Sequence, residues 1–202
     1  LPDGVTMLAR ALELLRQCCD ETVLVIGEDD DAGAFALRFP GVRILRSPRS
    51  RGGMGFTLAD AIAQLMDWDA CLVSLADKPF IRPGSMRRVR ELLVAHELVV
   101  PTHGGAWGHP VGFARRHFFA LTRLEGDTGA RELIVAEQSR VHFVELDDPG
   151  ILADCDELAV GAEGHAVGRD VAGLQAAQRE RPVFQVQRIQ AARGRGQRHV
   201  GH

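Results

Sequence analysis

The chain has 202 residues, of which 46% are hydrophobic and 25% charged, with a formal net charge of −3. That composition excludes collagen-like, mucin-like and wholly unfolded chains, and the length suits one domain with an appendage. No apolar run approaches the roughly 18 to 20 residues that a membrane span needs, so no membrane partner is expected.

Cys18, Cys19, Cys71 and Cys155 form no C-x-x-C arrangement. They read as reduced thiols of a cytoplasmic protein, not as a disulfide framework or a zinc site. The opening Leu-Pro-Asp-Gly has neither the basic nor the long apolar region of a signal peptide. It also lacks an initiator Met, so the natural N-terminus is expected upstream.

The predicted elements begin with a helix capped by Thr6, whose Leu8, Leu12 and Leu15 fall on one face. Residues 22–26 form a continuous β-branched and apolar run closed by Gly27, as a buried strand requires. A short helix over 31–39 ends at Pro40-Gly41, and a second strand follows over 42–45. Beyond an Arg- and Gly-rich loop, Leu58, Ile62 and Leu65 repeat at helical spacing, and residues 70–75 again read as a buried strand. Pro83 opens a helix with Met86, Val89 and Leu93 inward. Then come a strand over 98–100, a Gly-rich turn, a short strand over 110–113, a helix over 116–123, another from Asp127, and a strand over 141–144. Strands alternating with helices predict an α/β domain with a mainly parallel sheet over residues 1–160.

From Gly164 onward the texture changes. Residues 165–202 carry a net charge of +5 and six Gln, which leaves −8 for the rest. A basic arm for nucleic acid would need aromatic residues interleaved with its arginines for base stacking, and Phe184 alone lies among the seven. No nucleic-acid partner is therefore expected. Residues 161–202 read as a Gln/Arg-rich extension with too little apolar surface to offset its chain entropy, hence poorly ordered. Within it, residues 183–189 could form a short strand of imperfect alternation.

In an open α/β sheet, ligands bind outside the carboxyl ends of the strands. The best candidate there is Ser74-Leu-Ala-Asp-Lys-Pro-Phe80, where an apolar strand delivers Asp77 to the edge and Pro79 ends the pairing. Asp77 could hold a hard divalent cation that bridges phosphate oxygens, or serve as a turn Asp bonding local backbone amides. The loop containing Gly53, Met54, Gly55 and Thr57 leads into a helix and admits close approach of a ligand. It is neither a Walker loop nor a dinucleotide fingerprint. Gly108-His109-Pro110 precedes an apolar strand, and His109 could contact substrate or be structural. Gly126-Asp127-Thr-Gly-Ala-Arg131 starts a helix, either an ordinary one with Asp127 as its N-cap or one whose N-terminus binds an anion or pterin phosphate together with Arg131. Finally, residues 147–156 place carboxylates after the last strand; Asp154 or Asp156 could supply a second metal oxygen or be a solvated turn.

In this order the pieces resemble the molybdenum-cofactor nucleotidyltransferases, most closely the cytidylyltransferase branch. The resemblance rests on Leu1-Pro-x-Gly-x-x-Met-Leu8, Gly53-Met-Gly55, Leu75-Ala-Asp-x-Pro-Phe80, Gly108-His-Pro-Val-Gly-Phe113, Gly126-Asp-x-Gly-Ala-Arg131 and Asp148-Pro-Gly-x-Leu-x-Asp-x-Asp156. It implies a Rossmann-like three-layer α/β/α fold and Mg²⁺-dependent transfer of a nucleoside monophosphate to the phosphate of molybdopterin, with release of pyrophosphate. CTP is the favoured donor by this likeness and GTP the next. A molybdoenzyme or its chaperone would be the downstream partner.

The likeness also assigns residues. Asp77 and Asp156 would hold Mg²⁺, and Gly53, Met54, Gly55 and Thr57 would lie by the nucleotide. Gly108, His109, Pro110, Gly126, Asp127 and Arg131 would line the acceptor side. Three departures stand out. The family's first strand and Gly-rich loop precede the point where this sequence opens, so the domain is expected to be incomplete at its N-terminus. Lys78 stands beside Asp77 where the family carries an uncharged residue, and the Asp-x-Asp-Thr-Pro ending is Asp154-Cys-Asp-Glu-Leu158. The alternatives are transfer to another small phosphorylated acceptor, or a catalytically inactive cofactor-binding relative.

Overall fold

The computed structural model describes residues 5–153 and the strand 184–189. The first helix, α1 (Met7–Arg16), is capped by Thr6, whose hydroxyl accepts from the Ala9 amide at 3.3 Å. It lays Leu8, Leu12 and Leu15 inward. The strands β1 (Glu21–Gly27), β2 (Arg43–Ser47) and β3 (Ala70–Leu75) alternate with α2 (Ala32–Arg38) and α3 (Met54–Ala63). After α4 (Pro83–Leu92) come β4 (Leu98–His103), β5 (Ala106–Trp107) and β6 (Val111–Ala114). Short helices α5 (Phe118–Leu121) and α6 (Arg131–Ala136), the strand β7 (Val141–Glu145) and finally β8 (Phe184–Ile189) complete the described elements.

Burial follows the period-two rule of strands. Val23 and Val25 of β1 face α3, α5 and α6 together with Cys71 and Val73 of β3. Leu24 and Ile26 face α1, with Phe39 and Val42 beside them. Leu72 and Val99 meet Val89 of α4 on that same side. The result is the expected three-layer α/β/α sandwich. Each fully buried Leu or Ile contributes about 1.5–3 kcal/mol to its stability.

The sheet order is β2-β1-β8-β3-β6-β4-β5, with β7 also on β4. The expectation of a mainly parallel sheet is corrected here. Only β1–β2 and β4–β7 pair in parallel, whereas β1–β8, β3–β8, β3–β6, β4–β6 and β4–β5 pair antiparallel. The helix-separated strands β1, β2, β3, β4 and β7 do all run one way. It is β6 and β8, slotted between them in the opposite sense, that make the pairing mixed. β8 also comes from beyond residue 160, the limit that composition sets for the domain. It lies in the middle of the sheet, with Val186 opposite both Val23 and Val73.

Since those five strands point one way, the loops that follow them gather at one edge. That edge carries residues 28–31, 48–53, 76–82, 104–110 and 146–153.

Candidate functional site

Two of the predicted segments interlock. Gly53, at φ +118°, sits where a Cβ would lie 2.5 Å from the Gly126 carbonyl oxygen, and a Cβ on Gly55 would lie 2.4 Å from that of Glu125. Only glycine fits either position, because the obstacle is backbone and cannot step aside. The contact is closed by hydrogen bonds. The Gly55 amide donates to Gly126 O at 2.8 Å and the Met54 amide to Asp127 Oδ1 at 3.2 Å.

Asp127 therefore does cap a helix, but not the one that follows it. It caps α3, 73 residues earlier in the chain. The helix after it, α6, begins at Arg131 with no side-chain cap, so the expected start at Asp127 is corrected. The buried Thr57 hydroxyl turns back to the Gly53 carbonyl at 3.0 Å, and the Thr57 amide goes there too. The positive end of α3 is thus already supplied with an anion, the Asp127 carboxylate. The amides of Met54, Gly55 and Thr57 are committed within the protein.

The loop arginines are engaged as well. Arg49 donates Nε–H to Asp60 at 2.7 Å, Arg51 pairs with Asp29, and Arg46 donates to the Glu28 carbonyl. Burial raises the Asp60 carboxyl, but hydrogen bonds from Ser47 and Arg49 outweigh it and hold the group below its usual range. That network braces the β2–α3 loop against the first turns of α3.

The second grouping lies at the end of β3. Asp77 is half-buried there, and the neighbouring Lys78 is buried, with its ammonium donating to the Leu152 carbonyl at 3.0 Å. The His109 amide donates to Ile151 O at 3.0 Å, and its Nδ1 stands 3.4 Å from the Val73 carbonyl oxygen. The Gly108 amide donates to Pro101 O at 2.8 Å, and the His109–Pro110 peptide is cis. Both Lys78 and His109 are thereby tied to the turn Pro149–Ile151 and its next residue.

Asp148 anchors that turn. Its carboxylate is 2% exposed and accepts from the Arg82 amide at 2.8 Å, Ser85 Oγ at 2.5 Å and the Gly150 amide at 3.0 Å. A residue that reads as part of a solvated acidic turn is a fully bonded structural acceptor, as buried carboxylates must be. Asp154 and Asp156, the predicted second metal oxygens, lie outside the described residues.

Trp107, which the motif reading passes over, joins the two groupings. It precedes Gly108 in chain order, and the Arg131 guanidinium carbon sits 5.3 Å from its ring centroid. A bulky aromatic inside a Gly-rich turn was the available sequence signal. Met54, Leu75, Trp107 and Ala130 are all half-buried on the same core face. Of these four, Met54 alone is a predicted site residue, and the contact between Trp107 and Arg131 is what links the Gly108–His109 turn to the Gly126–Arg131 segment.

That edge can admit a divalent cation that arrives with phosphates. A carboxylate is a hard oxygen donor, and Mg²⁺ commonly takes one or two such groups with phosphate and water oxygens completing its shell. No group of three or more His, Cys, Asp or Glu suited to a metal gathers among the described residues. Of the two predicted metal ligands, Asp77 alone lies among the described residues, as a single half-buried carboxylate at the end of β3.

A three-layer α/β/α domain with interlocked glycine loops and a strand-end carboxylate at one edge is an arrangement compatible with nucleotidyl transfer, and the family match fixes the class. Residues 1–141 match the family described as the MobA-like NTP transferase domain, and the chain belongs to that family. Solved structures agree in fold. The manganese complex of Rv0371C from Mycobacterium tuberculosis H37Rv is 26% identical, with a TM-score of 0.62 over 78% of this chain and 86% of that one. The homologue of that protein from Mycobacterium sp. strain JC1 is 22% identical, with a TM-score of 0.63 over 78% and 83%. A nucleotidyl transferase from Methanothermobacter, Mth528, is 18% identical, with a TM-score of 0.62 over 78% and 80%. A search of the curated proteins finds no match. Among the described residues, no helix is long and apolar enough to cross a membrane.

Proposed function

We propose that this chain transfers a nucleoside monophosphate from a nucleoside triphosphate, CTP before GTP, to the phosphate of a molybdopterin-type acceptor in the cytoplasm. The observation that carries the reading is the placement of Asp77. β3 delivers it to the edge that also carries the 48–53 and 104–110 loops. The relative solved with manganese supports a divalent metal, and we assign that role to Mg²⁺ held by Asp77 and Asp156. The buried, free thiols of Cys18 and Cys71 accord with a reducing compartment.

In the reaction, an oxygen of the acceptor phosphate attacks the α-phosphorus of the nucleotide. The new O–Pα bond forms as the bond to the β-phosphate oxygen breaks, and pyrophosphate carries that electron pair away. Mg²⁺, when bound, supplies charge neutralisation on the phosphates. The protein's own share is positioning. The paired loops fix Gly53, Met54, Gly55 and Thr57 beside the nucleotide, while Gly108, His109, Pro110, Gly126, Asp127 and Arg131 border the acceptor.

Pyrophosphate release with Mg²⁺, molybdopterin and each of the four nucleoside triphosphates tests the reading. Turnover selective for CTP is expected, with at least about a hundredfold loss in Asp77→Ala, the scale of removing one electrostatic stabiliser from a transition state. Undiminished turnover in that variant would refute the role of Asp77. Turnover with a different phosphorylated acceptor alone would refute the choice of molybdopterin.

A further inference from the structure

The cations at the functional edge are not equivalent. Arg49 and Arg51 each face a carboxylate, Arg46 donates to a backbone carbonyl, and Arg82 donates to the Asp147 carbonyl at 2.6 Å. Arg131 differs from all of these. Its side chain is exposed and forms no ion pair or hydrogen bond among the described residues, and its contact is the Trp107 ring. Trp107 is in turn backed by Phe143, with ring centroids 5.4 Å apart and planes tilted by 34°.

An aromatic seat has a chemical consequence that a carboxylate seat lacks. The ring quadrupole attracts the guanidinium and restrains it while consuming none of its N–H donors. The planar fork stays available for bidentate bonds to a phosphate dianion. A carboxylate in the same place would occupy that fork and cancel the charge. The seat is also firmly built, because Trp107 pairs through β5 with Thr102 of β4 and packs on the main core. Met54, Leu75 and Ala130 are half-buried apolar side chains packed, like Trp107, against that same core cluster.

We infer that Trp107 is a positioning residue that presents the Arg131 guanidinium to the phosphate of a phosphomonoester acceptor, whose apolar or planar body lies on the neighbouring half-buried side chains. The inference rests on the nucleotidyl-transfer reading and adds to it the residue, Trp107, that holds the Arg131 fork open for the acceptor phosphate.

Trp107 supplies its own reporter. The other tryptophan, Trp68, is 1% exposed in the core, so an emission change on ligand addition reads Trp107. The full chain is titrated with phenyl phosphate, with phenol as the uncharged control. A saturable change is expected with phenyl phosphate only, and it disappears in Trp107→Phe, which leaves Trp68 as the sole fluorophore.

Calorimetry on the same probe extends this to the other variants. Arg131→Gln is expected to bind about tenfold or more weakly and Arg131→Lys to fall between, as loss of a charge-assisted bidentate contact implies. Trp107→Leu is expected to weaken binding about two- to fivefold, the share of an exposed cation–π contact, with Trp107→Phe recovering part of it. Thermal stabilisation by Mg²⁺ with CTP is read in parallel and stays at the wild-type value in these variants, which a general structural role would not allow.

Wild-type affinity for phenyl phosphate in either Arg131→Gln or Trp107→Leu overturns the proposal. If the wild type fails to bind Mg²⁺ with CTP yet binds phenyl phosphate through Arg131, the nucleotidyl-transfer reading fails and the phosphate seat stands. The reverse pattern removes the seat and leaves that reading intact.

Discussion

Asp127 and the two glycines opposite it show how a few atoms fix the distance between two loops. The carboxylate caps α3 across 73 residues, and Gly55 lets the Glu125 carbonyl approach to within what would be 2.4 Å of a Cβ. Asp127→Ala should therefore cost about 0.5–2 kcal/mol of stability, the range of a lost N-cap. Gly55→Ala should cost about 1–3 kcal/mol, since backbone must shift to admit the methyl group. Both are read from urea denaturation midpoints; an unchanged midpoint in Gly55→Ala would show that the loops are not docked as described.

A pH dependence belongs to the same scale. His117 is 4% exposed, its Nε2 has no hydrogen-bond partner among the described residues, and burial lowers its pKa below the ordinary value of 6.5. Its surroundings include Glu137, Arg116, Glu97 and Arg140, whose charges act in opposing directions. The unfolded chain thus takes up a proton at this residue at higher pH than the folded one does. Its stabilising share is complete above about pH 6.5 and is lost as pH falls from there toward the lowered folded value. His117→Phe should flatten part of the acid-side fall in denaturation midpoint, and an unaltered pH profile would contradict this.

At the scale of elements, the turn Pro149–Ile151 acts as a clip. Asp148 fastens it to the first turn of α4, and the turn in turn holds the Lys78 ammonium and the His109 amide. Asp148→Ala would strand the Ser85 hydroxyl and two backbone amides without their acceptor. A loss of about 2–4 kcal/mol in urea unfolding is expected, given about 1–3 kcal/mol for one stranded buried polar group. A loss under 1 kcal/mol would mean that water replaces the carboxylate.

Elements with local signals were legible from sequence. Thr6 before a leucine stripe marks α1, and the uninterrupted apolar runs mark β1 and β3. The start of α6 was not legible, because Asp127 carries a genuine capping signature that it spends on a helix far away in the chain. No local pattern distinguishes those two uses. Asp148 was misleading for a related reason: an acidic, Pro- and Gly-containing stretch looks like a surface turn until the α4 terminus it bonds to is in place. Of the candidate site, the positions of Asp77, Gly53 and His109 at one edge follow from strand order alone. The role of Trp107 depends on a contact with Arg131, 24 residues further on, that spacing does not encode.

Over the whole molecule, β8 is the piece that composition hides. Phe-Gln-Val-Gln-Arg-Ile lacks the continuous apolar run of a buried strand, yet it joins β1 to β3. Without it the β2–β1 half and the β3–β6–β4 half of the sheet share no strand pairing among the described residues, and two long strand edges lie open. The mixed pairing has the same source, since β8 separates β1 from β3 just as β6 separates β3 from β4. Val186→Pro removes an amide from the centre of the sheet. It should cost about 3 kcal/mol or more and promote aggregation, whereas a native melting temperature would show that β8 is dispensable.

In the function proposed above, Asp77 anchors a metal–nucleotide complex at the carboxyl edge of this sheet. Its most direct test is the melting temperature of the full chain and of Asp77→Asn with Mg²⁺ and CTP, against either alone. At about ten times the dissociation constant the ligand adds about 1.4 kcal/mol, which for a chain of this size raises the wild-type melting temperature by about 3–6 °C. That rise is expected only with metal and nucleotide together, and it is lost in Asp77→Asn while the unliganded melting temperature holds. An equal rise in both proteins, or none in the wild type, would contradict it.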